Sequence, residues 1–98
     1  MKLRLGRRAQ QQIRRIERWW VEHRTAPELF TEELEQTFRH IRSVRAAGIG
    51  WPTTRHPTLR RMLMPRTENH VYFVVDDASG TVFVLAVWGA ARGAGPRL

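Results

Sequence analysis

The stretch HVYFVVDDASGTVFVLAVWGAAR, residues 70–92, decides the fold. Two runs dense in β-branched and aromatic residues flank DDASG, a cluster of turn formers closed by glycine, and this combination reads as an antiparallel hairpin. Both runs are apolar almost throughout, so the hairpin is central or paired in its sheet and covered on at least one face. Beyond Trp88 the chain offers small residues and Arg92, with "GAGPRL" too small and flexible to form another element. The cover for the strands must therefore come from upstream or from a partner.

Upstream, "LRRMLMP" (59–65) reads as an extended segment ended by Pro65, after a polar loop "GWPTTRHPT". At the start of the chain, Leu3 and Leu5 alternate with Lys2 and Arg4 and Gly6 closes the run, the period of a half-buried strand. From Arg8 to about His23 the apolar positions Ala9, Ile13, Ile16 and Trp20 recur at three- and four-residue steps, which predicts an amphipathic helix. A second helix is expected from "TAPE", with Thr25 as cap and Glu28 completing a capping box, through Leu34, Phe38, Ile41 and Val44 to Gly48 and Gly50. Its glutamates, Glu28, Glu32, Glu33 and Glu35, lie in the first two turns, where carboxylates complement the helix dipole. The short link between the helices predicts an antiparallel helix hairpin packed on the sheet, an α+β fold of order βααβββ.

The chain has 98 residues, the size of one domain, 1–98, with about 93–98 read as a flexible tail. Composition is that of a folded protein, with 42% hydrophobic and 27% charged residues. Seventeen Lys+Arg against nine Asp+Glu give a net charge of +8, and every basic residue except Lys2 is arginine. The guanidinium fork suits phosphates and carboxylates, which points to nucleic acid, an acidic protein or an anionic surface as partner. Absence of cysteine excludes disulfides and a thiolate nucleophile. No signal peptide or membrane span is read from the sequence, and a cytoplasmic protein is expected. The histidines His23, His40, His56 and His70 are scattered, without a helical HxxxH or a partner cysteine, and most of them read as surface or loop residues, so no metal site and no cofactor are assigned.

A basic βααβββ chain in which "TAPELFTEELEQTFRHI" precedes "LRRMLMP" and the strand pair, and which ends in "VLAVWGAAR", resembles the RelE/ParE superfamily of type II toxin–antitoxin toxins from Leu3 to Arg92. The resemblance implies a toxin neutralised by a cognate, acidic antitoxin encoded beside it, with operator DNA reached only through that antitoxin. It implies two target classes: RelE-like members cut messenger RNA on the ribosome, and ParE-like members inhibit DNA gyrase. RelE-like chemistry uses basic residues around the phosphate and a side chain that moves the 2′-OH proton. The family's arginine early in the penultimate strand falls here at Val71, no tyrosine or histidine follows the last strand, and Tyr72 reads as core. The ParE-like branch, which needs a binding surface and no catalytic set, is therefore favoured. A metal-independent ribonuclease using Arg60, Arg61 and Arg92 is the alternative, and a non-toxic, salt-sensitive nucleic-acid-binding module is the third reading.

Target contacts are expected at Arg60, Arg61, Trp88 and Arg92. Antitoxin contacts are expected at Met62 and Met64, whose flexible side chains suit a docking edge, and at Trp19 and Trp20. The two adjacent tryptophans point about 100° apart on a helix, so one of them must be partly exposed. The apolar surface beyond the helix pair is assigned to an antitoxin segment on the other sheet face or along an edge.

Overall fold

The computed structural model describes residues 1–92 and 94–98. In chain order it contains β1 (Lys2–Leu5), α1 (Arg7–His23), α2 (Leu29–Ser43), β2 (Ile49–Gly50), β3 (Arg60–Met64), β4 (Asn69–Asp76) and β5 (Thr81–Gly89). The strands form one sheet in the order β1-β5-β4-β3-β2. All neighbours pair antiparallel except β1, which lies parallel to β5 with Leu3 opposite Val82. The α+β, βααβββ expectation holds, with β2 as an added two-residue edge strand.

The hairpin turns where it was read to turn. Asp76 accepts the Ala78 N–H at 3.1 Å and the Ser79 hydroxyl at 2.8 Å, and Gly80 adopts φ 63°, a left-handed conformation that glycine enters without cost. Between β4 and β5 the register slips: Tyr72 faces Ala86 while Phe73 faces Val84, so Leu85 is the extra residue of a bulge.

Both helices cover one face of the sheet. Val71, Phe73, Val82, Val84, Val87 and Met64 meet Ala9, Phe30, Leu34 and Ile41 in the main core. Two polar ties fix the helices to the strands. The buried Gln12 of α1 accepts the Val87 N–H through Oε1 at 2.8 Å, and the buried Glu33 of α2 accepts the backbone N–H groups of Arg66 and Thr67, both at 2.8 Å. Glu33 is therefore a strut holding the β3–β4 turn, rather than the dipole-compensating surface carboxylate read from its position.

Helix α2 differs from expectation at both ends. It begins at Leu29 with Glu28 in the cap position and no side-chain capping bond, so the Thr25–Glu28 capping box does not form. The preceding residues instead make a separate turn in which Leu29 N–H donates to Ala26 O. At the other end the helix stops at Ser43, and Val44 is already extended. The following loop, with Ala46 at φ 58° and Gly48 at φ 71°, leads into β2.

The opposite sheet face carries a smaller cluster: Leu59, Tyr72 and Ala86 are buried, and Val74, Leu85, Trp88 and Leu98 pack against them. The chain's own tail thus takes part of the surface assigned above to a partner. Trp88 Nε1–H donates to Ala94 O at 2.7 Å, and Arg8 donates to Arg97 O at 2.6 Å. Gly93, where the tail was expected to begin, lies outside the described residues. Among the described residues no helix is long and apolar enough to cross a membrane.

Candidate functional site

Strand periodicity sends alternate residues of β3, β4 and β5 to the face away from the helices. The register lays them out in two rows: Leu63, His70 and Trp88 side by side, and Arg61, Tyr72 and Ala86 beside them. Trp51, just after β2, and Arg92, just after β5, close the ends. Trp51, Arg61, His70, Tyr72, Trp88 and Arg92 line a cavity of about 190 Å³.

The cationic groups are held in a repeated way. The Arg61 guanidinium lies 3.5 Å from the ring centroid of Trp51, and that of Arg92 lies 4.0 Å from the ring centroid of Trp88. Stacking orients a guanidinium for about 0.5 to 1 kcal/mol at a solvent-exposed site. It leaves the in-plane N–H edges to receive a carboxylate or phosphate.

His70 stands half-buried, packed edge-on to Tyr72 with ring centroids 6.1 Å apart. Burial, and secondarily the nearby Arg61 charge, lower its pKa below the ordinary imidazole value of 6.5. The ring is consequently neutral at pH 7 and able to accept a proton. Such a pair of stacked cations around a neutral imidazole can bind an anionic ligand and, with a substrate hydroxyl in reach, remove its proton.

The sequence-selected residues divide between the two faces. Arg61, Trp88 and Arg92 come together here. Arg60 does not: its side chain turns to the helix side and donates to Ala46 O, Ala47 O and Gly48 O at 3.0, 2.8 and 2.8 Å, clamping the loop before β2. Met64 is fully buried and Met62 packs on the main core, so neither projects from a docking edge; between them the exposed residue is Leu63. Trp19 is 42% exposed and Trp20 is 9% exposed, as the angular argument required.

Neither His70, read as one of the scattered histidines, nor Trp51, read as part of a polar loop, was picked out as a site residue. The signal for His70 was available, since it lies two residues before Tyr72 and one before the inward Val71. It was obscured because β4 is apolar on both faces. Trp51 sits in a polar loop with no periodicity to assign it a direction. Val71, the position of the family's strand arginine, is fully buried under the helices, and the polar group of that strand stands one residue earlier on the opposite face.

No protein-family model matches the chain, and no curated protein matches it. Among solved structures, a chain described as belonging to the chromosomal ParDE TA system from P. aeruginosa shares the fold. The TM-score is 0.69 at 20% sequence identity, covering 91% of this chain and 95% of that one. The α+β, βααβββ fold read from the sequence is thus the fold that this chain shares with it.

Proposed function

We propose that this chain is the toxin of a type II toxin–antitoxin pair, acting in the ParE-like manner by binding DNA gyrase and held inactive by a cognate acidic antitoxin. The observation that carries the reading is the fold shared along nearly the full length of both chains with a protein of a ParDE system. The exposed cationic and aromatic face around Arg61 and Arg92 supplies a surface for a macromolecular target. Inducible expression in a bacterium carrying an SOS-response reporter tests it. Growth arrest with the reporter on supports gyrase as target, and its loss in Arg61→Ala and Arg92→Ala places the contact on this face. Growth without arrest on full induction of soluble protein overturns the toxin reading.

A second reading, ribosome-dependent cleavage of messenger RNA, gains from one specific observation: a neutral His70 lies in the same cavity as Arg61 and Arg92. In that reading His70 takes the 2′-OH proton and the oxygen attacks the adjacent phosphorus to give a 2′,3′-cyclic phosphate. The P–O5′ bond breaks, the protonated imidazole returns its proton to the leaving 5′-oxygen, and the guanidiniums stabilise the charge that develops on the phosphate. Arrest with a silent SOS reporter, cut transcripts and loss of cutting in His70→Ala would select it.

A further inference from the structure

A second cavity, of about 510 Å³, opens where the C-terminal half of α1 faces the start of β4 and the end of β5. Three indoles, Trp19, Trp20 and Trp88, line it together with the guanidinium-bearing Arg15, Arg24 and Arg92. Among its described lining residues Glu68 is the one carboxylate, so the groove is cationic. Arg24 repeats the arrangement of the sheet face, and Arg92 belongs to both cavities. The Arg24 guanidinium lies 4.8 Å from the Trp19 ring centroid and 5.2 Å from that of Trp20, and Arg92 lies over Trp88.

We infer that this groove docks an acidic protein segment bearing an apolar anchor, and that Arg92 is the wall through which the docked segment reaches the sheet-face cavity. Charge complementarity selects carboxylates as the groups that meet Arg15, Arg24 and Arg92. The apolar floor, Ile16 beside Trp20 and Val87, selects a peptide over a nucleic-acid backbone, because an aliphatic side chain fills it while a phosphodiester leaves it unfilled.

Arg92 and Trp88 line both cavities. A carboxylate that pairs with Arg92 from the groove side draws the guanidinium away from the face that holds His70 and Arg61. Docking therefore removes one of the two cations of the candidate site without covering it. The identification of the segment with an antitoxin rests on the toxin reading above; the chemistry of the segment rests on the groove.

The chain carries four tryptophans, and their indole N–H signals in a ¹⁵N-labelled sample report the two cavities separately. Trp19 and Trp20 belong to the groove alone, Trp51 to the sheet face alone, and Trp88 to both. The probes are a synthetic helical peptide with glutamates around one leucine anchor, the same peptide with lysine for glutamate, and a ten-nucleotide oligouridylate. The glutamate peptide is expected to shift Trp19, Trp20 and Trp88 and leave Trp51 in place. Arg24→Ala and Arg92→Ala each weaken its binding roughly tenfold, the usual cost of truncating one member of a charge pair. A shift of the His70 ring signals on binding, absent in Arg92→Ala, reports the route through Arg92.

Equal binding of the lysine peptide, shifts confined to Trp51, or movement of the groove indoles by oligouridylate but not by peptide would each overturn the inference. Growth arrest is read independently of it. Arrest without groove shifts removes the docking site and keeps the toxin, whereas groove shifts without arrest remove the toxin and keep the docking site.

Discussion

Glu33 and Thr67 meet across thirty-four positions of chain: one carboxylate oxygen of Glu33 accepts both the backbone N–H of Thr67 at 2.8 Å and its hydroxyl at 2.7 Å. The other oxygen takes the Arg66 N–H, so a single buried side chain satisfies three donors of the β3–β4 turn and ties it to α2. Removing it leaves three part-buried donors without protein partners. Glu33→Ala should therefore cost about 2 to 3 kcal/mol, a fall in Tm on the order of 10 °C for a domain of this size, measured by thermal denaturation. A fall of only a degree or two would mean that the turn is held by other contacts.

Arg60 and Arg92 are both arginines of the expected target surface, and the structure gives them opposite work. Arg60→Ala removes three hydrogen bonds to the loop before β2 and should lower stability by about 1 to 3 kcal/mol. Arg92→Ala removes one stacking contact on an exposed side chain and should change stability by under about 1 kcal/mol while weakening target binding. Paired melting curves and growth assays separate the two. Equal destabilisation would refute the division.

Gly48 tests how β2 reaches the sheet. A Cβ at this position would stand 2.6 Å from the backbone oxygen of Arg61, and its φ of 71° is one that side chains rarely adopt. Gly48→Ala should cost about 1 to 3 kcal/mol from strain, and detach β2 from β3 before the rest of the sheet opens. Hydrogen exchange of the Trp51 N–H, which donates to Leu59 O at 2.8 Å, is the local readout.

His70 gives the pH dependence. Burial and Arg61 hold its folded-state pKa below 6.5, so the unfolded chain binds its proton more readily. Stability attributable to this residue is fully present above the unfolded pKa, declines as pH falls below about 6.5, and stops declining once pH passes the folded value. In Arg61→Gln the imidazole should titrate at higher pH than in the parent while staying below the free value, since burial is the larger cause. An NMR titration of the ring protons checks it, and an unchanged midpoint would remove Arg61 from the account.

What the sequence made legible follows the strength of the local signal. Strands β4 and β5 were readable because β-branched and aromatic residues fill them on either side of a turn cluster, and α1 because its apolar residues keep one helical period, with Trp20 turned inward as its place in the series of Ile13 and Ile16 required. Strand β2 left no trace, since two residues carry no period and their pairing depends on Arg60, on another strand, clamping the loop that Gly48 turns. The start of α2 was displaced because a capping pattern at Thr25 is a local preference, and a separate turn at Ala26 carries the chain to the buried Phe30. At the candidate site, Arg61 and Arg92 were readable as charges but their common face was not, because it is set by register between strands. The same limit hid the inward direction of Arg60 and Met64.

The parallel pairing of β1 with β5 orders events in time. Lys2 finds its strand partner at Thr81 and Leu5 at Val84, so β1 waits for a strand far along the chain before it has a neighbour in the sheet. Contacts this distant in sequence close slowly. Until they close, β1 is a short basic strand without a neighbour, and the main core lacks Leu3 and Leu5 on one side. A chain in which β5 has not yet formed therefore leaves β1 unpaired and one side of the main core open.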